Sequence, residues 1–380
     1  MESFEIVATT LFGLEEVLAQ EIKYLGATDI EIINRAVKFK GNTNLLYRSN
    51  LNLRTALKIL KPIEKIQARN EDQLYQKVKK ISWDKYFSFK QSFAIDAVTF
   101  GDTFRHSKYV ALKCKDAIAD KFRDSFGIRP SVDTISPDIR INIHVAETHI
   151  TISLDSSGYP LSKRGYRIEG ARAPINEVLA AGMIILSGWD RKCDFLDPMC
   201  GSGTIAIEAA MIAADMPPGR LRNFAFESWP GFDENLWNAI KDNADSKNIE
   251  PGVKILARDN DQKPLDSARR NIRRAGLSRF ISLKREDFFD SSANKDKGII
   301  ITNPPYGERL ESDSGILDLY NKIGTHLKHK YEGWDAWLIS SNMQALKQVG
   351  LRPSQKMKLF NGALECRFNK YELYRGSRKG

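Results

Sequence analysis

The 380 residues carry 58 Lys and Arg against 48 Asp and Glu, a formal net charge of +10. That length predicts two or three domains with ample core, and the basic excess suits a nucleic-acid partner without requiring one. Cys114, Cys193, Cys200 and Cys366 are widely spread, with no CxxC pair and no Cys/His ligand spacing, so neither a disulfide framework nor a metal site is predicted. The beginning of the chain lacks a basic and then apolar leader, and the longest apolar stretch, near 178–186, is too short to span a bilayer, so a cytoplasmic location is expected.

Residues 1–61 read as strand 4–9, helix 14–25, strand 30–34, strand 36–41, helix 42–50 and strand 56–61. Leu14, Val17, Leu18, Ile22 and Leu25 recur every three to four residues and make one apolar helix face. This βαββαβ order predicts a ferredoxin-like α+β unit. Residues 62–163 hold a helix near 71–81, a strand at 92–99, a long amphipathic helix at 108–126, and strands 139–145 and 149–153 around a polar turn. The long helix carries Lys108, Lys113, Lys115, Lys121 and Arg123, with Arg105 just before it, which suits phosphate contact as well as a solvated face.

From 164 to 380 helices alternate with short apolar strands. Helices are expected at 175–187, 204–214, 264–275 and 316–329, and strands at 193–196, 253–257, 281–283, 299–302 and 336–340. That alternation predicts an α/β, Rossmann-like, doubly wound parallel sheet. Two final strands, 356–360 and 367–373, would add an antiparallel edge.

Ligand-binding residue types fall at the ends of these strands. Asp197, Pro198, Met199, Cys200, Gly201, Ser202, Gly203 and Thr204 follow the first strand and open a helix. The two glycines permit a tight turn and close backbone approach, but a dinucleotide fingerprint would need glycine where Ala206 stands. The carboxylate of Asp197 disfavours a pyrophosphate and suits a cationic amino group. The second strand ends in Asp259, Asn260 and Asp261, placed for two ribose hydroxyls. Asp259 is the first choice and Asp261 the second. The third runs into Asp287 and Phe288, an acceptor for an adenine amine and an apolar surface for its ring. The fourth ends in Asn303-Pro304-Pro305-Tyr306. Two prolines fix an extended exit from the sheet. There the Asn303 side-chain oxygen and the Pro304 carbonyl can accept from a flat exocyclic amine while Tyr306 stacks on its ring, orienting the nitrogen for attack on an electrophile.

On these motifs residues 164–380 resemble the class I S-adenosylmethionine-dependent methyltransferases of the amino-methylating type. The segment 172–177, with Pro174 and Glu177, is similar to that family's extra motif, which closes over the methionine end of the cofactor. Three stretches narrow the resemblance: Pro217-Pro218-Gly219 with Trp229-Pro230, then residues 303–310, then Asn361-Gly362-Ala363-Leu364-Glu365-Cys366-Arg367. They are similar to the THUMP-domain guanosine-N2 RNA methyltransferases of the bacterial large-subunit ribosomal RNA type, with a single methyltransferase unit. Residues 1–163 resemble that family's ferredoxin-like and THUMP module by order, length and position.

The resemblance implies methyl transfer to N2 of a guanosine in structured RNA, expected to be 23S rRNA, with Arg105, Lys108, Lys113 and Arg309 on the RNA. Arg309 would meet the RNA backbone or hold Glu308. The same motif also serves adenine N6 in DNA or a glutamine amide, and an RNA-binding assembly factor with a vestigial site is the reading from a different class. No metal is expected. His106, His144, His149, His326 and His329 form no ligand set and read as surface residues.

Overall fold

The computed structural model describes residues 2–167, 175–305 and 313–374. Two seven-stranded sheets organise them. The first contains β1 (Phe4–Thr10), β2 (Thr28–Ile33), β3 (Ala36–Gly41), β4 (Ala56–Gln67), β5 (Phe93–Phe100), β6 (Ile139–Ala146) and β7 (His149–Asp155). Its order is β2-β3-β1-β4-β7-β6-β5, so the ferredoxin-like unit and the following α+β unit share one continuous sheet. The join is β4, which is longer than its sequence pattern predicts. It pairs with β1 through Ala56–Leu60 and with β7 through Leu60–Gln67. Its outer half alternates weakly because one end of a strand shared by two units faces different neighbours.

The second sheet contains β8 (Asp194–Asp197), β9 (Ile255–Asp259), β10 (Ile281–Arg285), β11 (Gly298–Thr302), β12 (Asp335–Ser340), β13 (Gln355–Asn361) and β14 (Leu364–Glu372). The order is β10-β9-β8-β11-β12-β14-β13, parallel except where β14 runs antiparallel to β12 and β13. This is a class I methyltransferase sheet. Helices Glu177–Leu186, Thr204–Ala213 and Gln262–Arg274 cover one face and helix Asp313–Lys330 the other, each closing an apolar core over the sheet. β8 and β11 are the neighbours at which the strand order reverses, and a ligand crevice opens at the carboxyl ends of such a pair.

Helix Glu234–Asp245 was not expected from the sequence. Only Trp237 and Ile240 on it are buried, too sparse a stripe to announce itself. Those two residues, with Phe224 and Phe226, enter the core of the ferredoxin-like unit. Tyr47 stacks on Phe226 at 4.2 Å between ring centroids. The glycine at 219 is needed because a Cβ there would meet the carbonyls of Asn50 and Leu51 at 3.1 and 3.0 Å. Arg222 then donates to the carbonyls of Ser157, Tyr159, Pro160 and Lys163, gripping the connection between the sheets. Burial lowers its guanidinium to about 10. In the same connection Arg164 is fully buried, ion-paired to Glu208 at 3.3 Å and bonded to the Arg54 carbonyl at 2.6 Å. Among the described residues no helix is long and apolar enough to cross a membrane.

Candidate active site

Each predicted strand end contributes to one locality. The loop after β8 turns on Gly201 at φ 53° and Gly203 at φ 83°, both in the left-handed region. A Cβ on Gly203 would press on Ala268 Cβ of the neighbouring helix at 3.2 Å, whereas Gly201 faces open space. One glycine therefore serves helix packing, and the other leaves the loop bare toward the crevice. Asn271 donates to the Ser202 carbonyl at 3.0 Å and holds the turn from behind.

Asp259, at the end of β9, accepts from the Gly201 N–H at 2.9 Å and from the Asp261 N–H at 3.0 Å. It thereby ties the glycine loop to the next strand. Asp261 caps helix Gln262–Arg274 through the Lys263 N–H at 3.0 Å, so its carboxylate is the more committed to structure. Asn260 donates to Asp287 at 3.2 Å, and Asp287 also accepts from the Phe289 N–H at 2.9 Å. Phe288 is buried between Tyr331 and His326, with ring centroids at 5.7 and 4.7 Å.

A cavity of about 330 Å³ joins these groups to the fourth strand end. Met199, Asp259, Asn260, Asp261, Asp287 and Phe288 line it together with Asn303 and Pro305. Pro304 is buried between the last two. Tyr306, Pro174 and Arg309 lie outside the described residues. A larger cavity of about 730 Å³ lies at the boundary of the first unit, near Glu21, Arg54 and Lys247. It holds none of the predicted site residues.

Asp197 lies under the glycine loop, 1 % exposed. It accepts from Thr302 Oγ1 at 3.0 Å and from the Met199 N–H at 3.4 Å. Burial pushes its carboxyl up to about 7, against the opposing effect of these bonds. Such a carboxyl gains from a cationic ligand group, because a positive charge beside it favours the ionised form. Glu177 and Thr204 are buried as well. Arg167 pairs with Glu177 at 2.8 Å and donates to Thr204 Oγ1 at 3.1 Å, drawing the two together. Acids and an apolar ring around the cavity, with the glycine turn beginning two residues beyond its lining residue Met199, suit an aminoacyl nucleoside such as S-adenosylmethionine.

The comparison with known proteins follows this geometry. Residues 164–370 match the RMKL-like methyltransferase domain family, residues 68–155 the THUMP domain, and residues 5–60 the RlmL ferredoxin-like domain. The chain belongs to the RMKL-like methyltransferase family. A provisionally named RNA methyltransferase of Synechocystis sp. is 37% identical over 97% of this chain and 96% of its own length. The ribosomal RNA large subunit methyltransferase K/L of Syntrophotalea carbinolica is also 37% identical, over 96% of this chain. The chain spans about half the length of that relative, 53%. Among solved structures, the provisionally named methyltransferase SMU.472 aligns at TM-score 0.89 and 33% identity over 99% of this chain and all of its own. That protein was solved with S-adenosylhomocysteine. A Listeria monocytogenes protein described as a predicted N6-adenine-specific DNA methylase aligns at TM-score 0.87 and 28% identity, over 99% of this chain and 97% of its own. S-adenosylmethionine, expected from the motifs, is the cofactor of this RMKL-like enzyme.

Three features escaped the sequence reading. Thr302 was counted only as the last residue of an apolar strand, yet a buried hydroxyl there needs a partner, and Asp197 is that partner. Arg167 stands among Lys163, Arg164 and Arg172, so nothing local marks it as the partner of the buried Glu177. His326 is corrected: it is half-buried, within 2.8 Å of the Ser291 carbonyl and set against Phe288 and Phe289, not a surface residue. Of the cations expected to meet RNA, Arg105, Lys108 and Lys113 lie on the first sheet's unit, and Arg309 lies outside the described residues. Lys108 is exposed. Arg105 pairs with Asp102 at 3.4 Å and Lys113 with Asp72 at 3.6 Å, which reduces their net attraction for phosphate.

Proposed function

We propose that this RMKL-like methyltransferase methylates N2 of a guanosine in large-subunit (23S) ribosomal RNA. The observation that carries the reading is that Asn303 and Pro305 line the same cavity as Asp259, Asn260 and Asp287, so an amine-gripping motif opens onto a nucleoside-sized site. The K/L relatives and the THUMP unit support RNA as the substrate class. We further take residues 1–61, 62–163 and 164–380 as the functional units, the first two gripping RNA by shape and phosphate, with Arg105, Lys108, Lys113 and Arg309 among the contacts. The enzyme would act in the cytoplasm.

S-adenosylmethionine, when bound, supplies an electrophilic methyl group on its sulfonium. Asp197 would face the cofactor's amino group, with Met199, Gly201, Gly203, Thr204, Glu177 and Pro174 forming that end of the site. Asp259 would accept from the ribose hydroxyls, Asp287 from the adenine amine with Asn260 holding its carboxylate, and Phe288 would lie at the ring. The target guanine must leave its stack, at a cost of a few kcal/mol. The Asn303 side-chain oxygen and the Pro304 carbonyl accept hydrogen bonds from the amine's two N–H groups and aim its lone pair, Pro305 fixes the turn, and Tyr306 stacks on the base. Orientation of a neutral nucleophile is the main contribution. No side chain needs to remove a proton first, because the amine becomes acidic only as its bond to the methyl group forms. The methyl–sulfur bond breaks in the same step, leaving a neutral thioether, and the extra proton is then lost to water.

The second reading is adenine N6 in DNA, favoured by the Listeria neighbour's description and by the shared motif. Labelled S-adenosylmethionine offered in parallel to rRNA from cells lacking the enzyme, to ribosomal subunits and to genomic DNA separates the two. Label in N2-methylguanosine is the expected outcome, and label confined to N6-methyladenine in DNA would replace the RNA reading.

A further inference from the structure

The hairpin of β13 and β14 ends in the segment Asn361-Gly362-Ala363-Leu364, a motif that the cofactor site does not use. Register places this hairpin at the same end of the sheet as Pro304. Thr302 of β11 pairs with Leu338 of β12, and Ser340, two residues on, pairs with Arg367 of β14. Arg367 in turn pairs with Lys358 of β13. At about 3.3 Å per residue, Arg367 and Lys358 therefore lie level with Pro304. At about 4.8 Å per strand they stand roughly 10 and 14 Å to its side. Phe360 is two residues farther out along β13. Leu359 and Cys366 point into the core, so the alternation turns Lys358, Phe360 and Arg367 to the opposite face, where Lys358 is exposed and Phe360 and Arg367 are half-buried.

The ferredoxin-like unit adds to this rim. The loop after β1 approaches β13 so closely that a Cβ on Gly13 would meet the Lys358 carbonyl at 2.8 Å. Leu14 beside it is buried in the catalytic core, which fixes the loop. Phe12 consequently meets Phe360 edge to face at 5.5 Å. Lys358 lies 6.0 and 5.3 Å from these two ring centroids, and Arg35 lies 6.0 Å from that of Phe360. Phe12 remains 39% exposed, although the core beneath it is complete. Of the acids nearby, Glu365 pairs with Lys358 at 2.6 Å and Arg367 at 3.5 Å, which reduces their pull on phosphate and leaves Arg35 as the principal cation, and Glu15 accepts from the Gly13 and Arg35 backbone N–H groups. Among the described residues the Arg35 guanidinium has no carboxylate partner, and its backbone is held at φ 55° on this rim.

We propose that Phe12, Phe360, Arg35 and Lys358 form a substrate-positioning platform that stacks and clamps the single-stranded RNA next to the flipped target nucleotide. This rests on the RNA reading above. An exposed ring, Phe12, set on a half-buried one, Phe360, and flanked by cations suits unpaired nucleotides, since bases stack on any aromatic face and phosphates meet the cations. The platform is built from both the ferredoxin-like unit and the methyltransferase unit, so it assembles only when the two are docked. That gives the first unit a role at the chemistry in addition to distant grip on the RNA.

The test uses the full chain with protein-free rRNA from cells lacking the enzyme. Phe12→Ala and Arg35→Glu should each raise the RNA KM roughly ten- to hundredfold, the loss expected for one stacking or clamping contact. S-adenosylhomocysteine affinity and melting temperature should stay at wild-type values, and Phe12→Tyr should restore the KM. With 4-thiouridine-substituted RNA, photocrosslinks should map to the peptides containing Phe12 or Phe360. Wild-type label on rRNA with unchanged KM in both variants and no such crosslink would overturn the platform alone. No wild-type label on any RNA would remove the RNA reading, and the platform with it. A defect seen only on intact ribosomal subunits would assign the patch to a protein partner instead.

Discussion

Thr302 donates a hydrogen bond to Asp197 across 3.0 Å, joining the strand that leads into Asn303 to the strand that leads into the glycine loop. The bond opposes the burial that pushes Asp197 up to about 7. Because the folded pKa lies above the ordinary carboxylate value, the proton-bound form is favoured in the folded protein. This group's contribution to the stability of the cofactor-free protein is therefore present below about pH 4 and lost as pH rises through about 7. Cofactor binding should run the other way. A cationic amino group favours ionised Asp197, so S-adenosylmethionine affinity should rise between about pH 6 and 8. Thr302→Val removes the donor and should move the midpoint to higher pH. Calorimetric titrations across that range would show it, and a flat profile would take Asp197 out of the cofactor site.

Asp259 has two tasks, and its removal should show both. Its carboxylate holds the Gly201 N–H at 2.9 Å and faces the cavity. Asp259→Ala should weaken cofactor binding about ten- to hundredfold, the range for losing a charged hydrogen-bond pair. Asp261→Ala should weaken it less, and should mainly cost helix stability of about 0.5–2 kcal/mol through its lost cap. Equilibrium binding and melting of the two variants decide the assignment, and a reversed order would transfer the ribose role to Asp261.

Asn303→Ala should separate chemistry from cofactor binding. If the side-chain oxygen orients the amine, kcat should fall by about 10²–10³, as for loss of one preorganised polar partner. The cofactor dissociation constant should stay within a few-fold. Single-turnover transfer beside calorimetry would measure both, and loss of cofactor affinity instead would place Asn303 against the cofactor rather than the base.

The strand ends were legible because they combine three local signals: an apolar run, a break such as Gly201 or Pro304, and a polar residue that a buried strand would not otherwise carry. The parallel sheet followed from alternation of strands with helices. What stayed hidden depends on contacts far apart in sequence. Nothing local marks Leu14 as part of the catalytic core, or Phe224 and Phe226 as part of the first unit's core. β4 ran past its expected end because the partner for its second half, β7, lies about ninety residues on. The bond between Thr302 and Asp197 spans |i−j| = 105 and is visible only once β8 and β11 are neighbours. His326 differs from its surface expectation because Phe288, Phe289 and the Ser291 carbonyl that enclose it come from the segment after β10, some 35 residues earlier.

Leu14 and Gly182 couple the first unit to the catalytic one. Leu14 is fully buried against helix Glu177–Leu186, and a Cβ on Gly182 would come within 2.6 Å of its two terminal methyl groups. Glycine inside a helix ordinarily costs about 1 kcal/mol relative to alanine. Here the contact should invert that preference. Gly182→Ala should destabilise the wild-type protein by roughly 1–3 kcal/mol, the usual cost of overpacking a filled core. Leu14→Ala should cost about 2–5 kcal/mol by leaving a cavity. In the Leu14→Ala background the added methyl group has room, and the helix propensity gain should make Gly182→Ala stabilising. The two changes are thus strongly non-additive, as expected for side chains in contact. Chemical denaturation of the four proteins of the cycle measures this sign change. If Gly182→Ala stabilises the protein with Leu14 present, the close approach of the two units at this point is wrong.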